Sequence, residues 1–144
     1  MTRAELIRSV ALTYSAEPEY PWHDDNCVFR HAGNRKWFAL VLRVPYRRLG
    51  LNRDGWADLV NLKCDRLLTG SYRDRPGVLP GYHMNKEHWL SVLLDGSAED
   101  EALRELLAIS YELTRGRSIS RCAKKTPPGM GGGVSGGLSP MQAN

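Results

Sequence analysis

The sequence predicts an α+β fold, with the element order α-β(3)-α-β(2)-α and an antiparallel sheet whose helices pack on one face. Apolar residues recur at helical spacing near both ends of the chain, and runs typical of strands lie between them. The strand-like runs follow one another with one short helical segment among them, which favours antiparallel pairing over parallel crossover units. The 144 residues have the length of one domain.

The first helix is predicted over about 3–14. Thr2 and Glu5 have the spacing of a capping box, in which a hydroxyl and a carboxylate bond free backbone N–H groups of the first turn. Leu6, Val10 and other apolar residues then recur at helical spacing. Two prolines that follow soon afterwards end the helix.

The next two segments, 27–32 and 36–44, are predicted to form a hairpin. Gly33 and Asn34 mark its turn, because both residue types tolerate positive φ. The segment 45–56 contains three arginines and two glycines and is predicted as an exposed loop.

The third strand, predicted over 58–64, divides its side chains between two faces of the sheet. Its alternation assigns Val60, Leu62 and Cys64 to the core face. If helices cover that face, the other face is expected to be open and to present six side chains: Trp37, Arg43, Asn61, Lys63, Trp89 and Ser91.

The remaining elements follow in order. A short helix is predicted over 65–72 with the aspartate as its N-cap, and 77–88 predicts a short strand and a tight bend. The strand 89–94 comes next. A capping signal at 97–100 begins the last helix, and Gly116 is predicted at its C′ position.

Domain organisation follows from a change in composition. Residues 1–117 form the predicted domain, and 118–144 form a low-complexity basic Gly/Pro/Ser tail that we expect to be mobile or extended. No apolar run approaches the roughly 20 residues of a membrane span, and the N-terminus lacks signal-peptide features, so we expect a cytoplasmic protein without membrane contact. The three cysteines form no CxxC pair, which excludes a disulfide framework and a zinc knuckle.

Charge is distributed unevenly along the chain. Residues 26–94 contain twelve Lys/Arg and five Asp/Glu, whereas 1–25 contain two and five, and 95–112 contain one and six. Residues 113–144 contain five Lys/Arg and no acid, so the net charge of +4 arises from the C-terminal part. The pattern predicts a basic middle between two acidic ends.

The sequence contains no strong catalytic or metal-binding pattern. His83 and His88 are five residues apart, which places them about 140° apart on a helix and prevents a shared ligand face. Cys64 belongs to the core set, and burial makes a thiol inert. We therefore predict a non-enzymatic protein without a cofactor. A small-molecule or metal site at the bend that holds His83 and His88 remains an alternative.

Cations interleaved with aromatic residues favour nucleic-acid binding, because they neutralise phosphates and stack on bases. The candidates for phosphate contact are Arg30, Arg35, Lys36, Arg47, Arg48, Lys63, His83, Lys86 and His88. The candidates for stacking are Trp37 and Trp89. The alternative is that the cations keep the protein soluble and protect strand edges, and that both tryptophans belong to the core.

Residues 80–89 read Pro-Gly-Tyr-His-Met-Asn-Lys-Glu-His-Trp. Further segments occur in order along 3–115: Pro21-Trp22 with Asp24, Val28-Phe29, Lys36-Trp37-Phe38-Ala39-Leu40, Val60-Asn61-Leu62-Lys63-Cys64-Asp65, Leu94-Asp95-Gly96 and Ser110-Tyr111-Glu112-Leu113. In these residues the chain resembles the MmcQ/YjbR family of small bacterial proteins. Two segments depart from it: 45–56 looks like a longer arginine-rich insert, and 118–144 lies outside the resemblance.

The resemblance implies a CyaY-like or secretion-chaperone-like fold, in agreement with the element order above. It also implies DNA binding through a surface described as a double wing, so DNA is the expected partner. The alternative that the fold implies is a protein-interaction module of the secretion-chaperone type, which would bind a protein partner or form a homodimer.

Overall fold

The computed structural model describes residues 1–116 and confirms the predicted α+β order, α-β(3)-α-β(2)-α. The predicted tail, 118–144, lies outside the described residues. The elements are α1 (Arg3–Tyr14), β1 (Cys27–Arg30), β2 (Trp37–Pro45), β3 (Trp56–Lys63), α2 (Arg66–Arg73), β4 (Val78–Pro80), β5 (Trp89–Leu93) and α3 (Asp100–Thr114), with a short 3-10 helix at Tyr46–Leu49.

The five strands form one antiparallel sheet in the order β1-β2-β3-β5-β4. The register aligns one residue from each strand in a row across the sheet: Val28, Leu40, Asn61, Ser91 and Leu79. Because neighbouring residues of a strand face opposite sides, this row fixes which side chains share its face.

The main core lies between the three helices and one face of the sheet. Leu6 and Val10 of α1, Tyr72 of α2 and Leu103 and Leu106 of α3 pack there in one cluster. The sheet contributes alternate residues of its strands to the same cluster, among them Phe29, Val41, Val60, Leu62, Leu90 and Val92. Cys27 and Cys64 also lie in this core, as predicted for Cys64.

The opposite face of the sheet carries a second, smaller core, which corrects the expectation of an open face. Val44, Ala57, Leu59 and Leu93 are buried there against Tyr46. Tyr46 belongs to the 3-10 helix, so the segment predicted as an exposed loop folds back over the sheet. Covering both faces raises the apolar area removed from water, the dominant stabilising contribution in a small domain.

Several local predictions are confirmed. The Thr2–Glu5 capping box begins α1 with both of its hydrogen bonds, and the Asp65 side chain accepts from Leu67 N at the start of α2. Each bond satisfies a helix-terminal N–H group that has no partner within the helix.

The prediction for the first hairpin is confirmed in part, and the cap predicted for α3 is wrong. The first hairpin turns at 32–34 as predicted, although the residue there with positive φ is Arg35, at 66°. Ser97 does not cap α3: its hydroxyl and its N–H both donate to Asp95. Helix α3 begins at Asp100 without a side-chain cap.

No helix among residues 1–116 is long and apolar enough to cross a membrane.

Candidate nucleic-acid interface

The register gathers most of the predicted site residues at one end of the sheet. Arg30 pairs with Trp37, Lys63 pairs with Trp89, and Pro80 lies beside them on β4. We call the sheet end formed by these five residues the basic end. Here β1, β3 and β4 finish, and β2 and β5 begin.

Lys63 is the central cation of the basic end. Its neighbours in the chain, Leu62 and Cys64, face the helices, so Lys63 projects from the opposite face. Its ammonium lies 6.0 Å from the centre of the Trp89 ring, at the outer limit of a cation–π contact. The side chain is half-buried, and this burial lowers the pKa of Lys63 because desolvation disfavours the ammonium form.

The bend 81–88 lies against the same face and is fixed by a buried polar pair. Asn61 Nδ2 donates to Tyr82 O at 3.0 Å, and Tyr82 N donates to Ser91 Oγ at 2.8 Å. Ser91 Oγ in turn donates to Asn61 Oδ1. Both side chains are fully buried, which corrects the prediction that they are open to solvent. Their function in the structure is to hold the bend in place.

The three basic side chains of the bend, His83, Lys86 and His88, differ in exposure and in the groups they contact. His83 is exposed, has φ of 58°, and stacks its ring on Tyr82 at 4.0 Å. Lys86 is exposed and donates from Nζ to Gly81 O at 2.7 Å. His88 is half-buried, and its carbonyl accepts from Cys64 N at 2.7 Å.

Arg73 connects the bend to α2. Its guanidinium donates to Lys86 O, while its buried Nε has no hydrogen-bond partner among the described atoms. The bend is therefore held from the sheet on one side and from α2 on the other. Such double anchoring gives its exposed side chains fixed positions, which ligand binding does not have to impose.

Trp37 and Trp89 are both half-buried at the basic end. The register of β2 shifts at Phe38, but Trp37 pairs with Arg30, which follows the core residue Phe29, so Trp37 lies on the same face as Lys63. Trp37 meets Trp22 edge to face with 6.1 Å between ring centres. Trp22 remains 43% exposed, so sequence analysis missed a third aromatic residue at this site.

The cations of the first hairpin have different surroundings. Arg30 is held by Glu19, which accepts from Nε at 3.1 Å and from Nη2 at 2.8 Å. This ion pair is the largest cause of the lowered pKa of Glu19. Arg35 is exposed at the turn, and Lys36 beside it is half-buried. A phosphate therefore meets Arg35 more readily than the neutralised Arg30.

Arg47 and Arg48, also candidates for phosphate contact, are not part of this group. They follow β2 at Pro45, which pairs with Trp56 at the opposite end of the sheet. Arg47 is already paired with Asp54, from Nη2 to Oδ1 at 2.8 Å.

Two further clusters were not predicted. His31 is half-buried between Phe38 and Tyr111, and its Nε2 lies 2.8 Å from Thr114 Oγ1 at the end of α3. At the opposite end of the sheet, Tyr46 donates to Asp95 at 3.1 Å while Arg53 lies over the Tyr46 ring. The first cluster ties the hairpin to α3, and the second holds the 3-10 helix on the sheet.

Neither metal nor thiol chemistry is favoured in residues 1–116. This part of the chain contains no group of three or more His, Cys, Asp or Glu that could hold a metal ion. Cys27 and Cys64 are buried, and burial raises the pKa of both thiols and keeps them protonated.

The fold and the fixed bend define a small α+β domain that presents cations and aromatic rings at one end of its sheet. The model of the YjbR family matches residues 12–113, so the chain belongs to the YjbR family.

Relatives and solved structures agree with this assignment. The protein YyaQ of Bacillus subtilis, described as uncharacterised, is 35% identical over 117 residues, which cover 80% of this chain and 99% of YyaQ. YbdF of Escherichia coli O157:H7, also described as uncharacterised, is 39% identical over 111 residues, 76% of this chain and 81% of YbdF. A crystal structure of a Pseudomonas syringae protein is 41% identical, with a TM-score of 0.77, and the match covers 80% of this chain and all of that one.

Proposed function

We propose that this protein binds DNA and that the basic end of the sheet contacts the phosphates. The observation that carries the proposal is the register of β3 and β5, which places Lys63 beside Trp89, with the anchored bend and Lys86 against them. The two strands hold a cation and an aromatic ring in fixed positions, and the bend adds a second cation. Such a site suits DNA, because cations contact phosphates and aromatic rings stack on bases.

Arg30 of the basic end is paired with Glu19, whereas three other cations at or near this end have no ion-pair partner among the described residues. Within residues 1–116, no carboxylate oxygen lies within 4.0 Å of the charged groups of Arg35, Lys63 or Lys86. At the other end of the sheet, Arg43 and Arg47 are paired with aspartates. Phosphates would supply the missing counter-charge, and the counterions they release would add to the affinity.

Partial burial makes Lys63 the cation among these whose charged form would gain most from a bound anion. Desolvation lowers its pKa, so the ammonium is held in surroundings less favourable than water. A phosphate oxygen beside it would stabilise the charged form, and the energetic cost of partial burial would be recovered on binding.

The acidic side of the domain would orient it on DNA. Helix α3 packs on the sheet face opposite Lys63 and carries exposed acids: Asp100, Glu101, Glu105 and Glu112. A polyanion would be repelled from this side and attracted to the basic end.

The proposal is tested with two double variants of the full chain. One carries Arg35→Glu and Lys86→Glu at the basic end; the matched control carries Arg48→Glu and Arg104→Glu, two exposed cations away from it. Both double variants change the net charge equally, because each replaces two cations by two acids. Fluorescence anisotropy with labelled DNA at about 50 mM salt should show about tenfold or greater weakening for the first and little change for the control.

The salt dependence gives a second readout. Loss of phosphate contacts should make the slope of log affinity against log salt shallower by about 0.9 per contact. Equal weakening by both double variants would assign binding to net charge and not to the basic end. If the unmodified chain fails to bind DNA at low salt, the protein is not a DNA-binding protein.

A further inference from the structure

Aromatic side chains are concentrated at the basic end. Of the four tryptophans, Trp22, Trp37 and Trp89 lie there, and Trp56 lies at the opposite end of the sheet. Tyr20 is 47% exposed close to Trp22 in the chain. These rings are not enclosed in either core cluster, although large aromatic residues contribute most to stability when they are buried.

The rings alternate with cations across the sheet. Trp37 belongs to β2, Lys63 to β3 and Trp89 to β5, and these three strands are neighbours in that order. All three side chains lie on the face away from the helices. The two tryptophans are separated by two strand spacings, roughly 10 Å, and the strand that carries Lys63 lies between theirs. The stacked Tyr82 and His83 pair continues the series onto the bend.

We infer that the ligand of the basic end is single-stranded DNA, an inference that rests on the proposed function and makes it more specific. In a duplex the flat faces of the bases are stacked on one another and cannot meet a protein ring. In a single strand they are accessible, and proteins that bind single strands combine aromatic platforms with a basic groove. A strand that crosses β2, β3 and β5 would place bases near Trp37 and Trp89 and a phosphate near Lys63.

Trp22 provides the substitution that separates stacking from charge. It is uncharged and 43% exposed, and its ring centre lies 6.1 Å from that of Trp37, so the exposed part of the ring is accessible to a base. Trp56 is 64% exposed at the other end of the sheet and serves as the matched control.

The experiment compares a labelled 20-nucleotide single strand with the blunt duplex of the same sequence, using the full chain. We expect the single strand to bind about tenfold or more tightly than the duplex and to quench tryptophan fluorescence. Trp22→Ala should weaken single-strand binding by about tenfold and leave duplex binding unchanged, because stacking is lost and charge is kept. Trp56→Ala should affect neither.

Each other outcome has a defined meaning. Duplex binding equal to or tighter than single-strand binding overturns the inference and leaves the proposed function standing, whereas absence of binding to both overturns both. Equal weakening by Trp22→Ala and Trp56→Ala removes the assignment of stacking to the basic end. Should Trp22→Ala lower the melting temperature, Trp22→Leu retains an apolar contact with Trp37 and removes only the stacking face.

Discussion

His31 is a residue whose surroundings are decided by contacts distant in sequence. Its imidazole lies between Phe38 and Tyr111, with Nε2 at 2.8 Å from Thr114 Oγ1. Thr114 Oγ1 donates to Ser110 O at 2.7 Å, so it is left to accept a hydrogen bond from Nε2 of the imidazole. Burial, followed by the charge of Arg115, lowers the pKa of this imidazole.

The lowered pKa predicts a pH-dependent stability. Below the ordinary histidine value of about 6.5, the unfolded chain binds a proton that the folded state resists, so stability falls as pH drops through this window. Above that value the contribution is fully present. As the pH is lowered from 7.5 to 5, the melting temperature should therefore fall more steeply for the unmodified protein than for His31→Gln. Parallel curves would show that His31 does not titrate differently in the two states.

The packing of His31 is also an example of a residue environment that the sequence does not predict. His31 lies within the hairpin segment 27–32 that the sequence predicts, and the hairpin is present. Its packing depends on Thr114, 83 residues away, and local spacing carries no information about such a pair. Asn61 and Ser91 illustrate the same limit: alternation assigned their face correctly, but it could not show that the bend covers them.

At the scale of the element, the bend 81–88 depends on close backbone packing. A Cβ added to Gly81 would lie 2.7 Å from Trp89 Cβ and 2.9 Å from Trp89 O. Neither atom belongs to a flexible side-chain end, so the strand β5 would have to move. At Gly70 in α2, by contrast, an added Cβ meets nothing within 4 Å.

We therefore expect substitution by alanine to have opposite effects on stability at these two glycines. Gly81→Ala should destabilise the protein by about 1–3 kcal/mol, because overpacking forces a backbone shift. Gly70→Ala should stabilise it by up to about 1 kcal/mol, because alanine is the better helix former. Urea denaturation measures both. A Gly81→Ala protein as stable as the unmodified one would mean that the bend is free to shift.

The elements themselves were largely predictable, since each depends on local signals. The capping box of α1 and the Asp65 cap of α2 specify their helices within the first turn. The segment 45–56 was not predictable in the same way, because its arginines and glycines are typical of a loop. Tyr46 folds it over the sheet through a hydrogen bond to Asp95, 49 residues further on.

At the scale of the whole molecule, the strand register places the cations at two opposite ends of the sheet, which composition along the chain does not show. The sequence predicted one basic middle, whereas the strands send Lys63 and Arg47 to opposite ends of the sheet. The net charge of +4 is therefore a poor guide to where an anion binds. At the basic end Arg30 is paired with Glu19, but Lys63 and Lys86 have no ion-pair partner among the described residues, whereas Arg47 and Arg53 at the other end are paired with aspartates.

Neutralising single acids tests whether DNA binds at one end of the sheet, and it leaves every cation in place. Glu87 is exposed in the bend, and Glu101 is exposed in the first turn of α3 on the acidic side. Glu87→Gln and Glu101→Gln each raise the net charge by one. If the basic end binds DNA, Glu87→Gln should strengthen binding several-fold at low salt, because Coulomb repulsion of nearby phosphates is removed, and Glu101→Gln should change it little. Binding governed by net charge alone predicts equal strengthening in both variants, so anisotropy titrations of the pair at two salt concentrations distinguish a localised interface from general attraction.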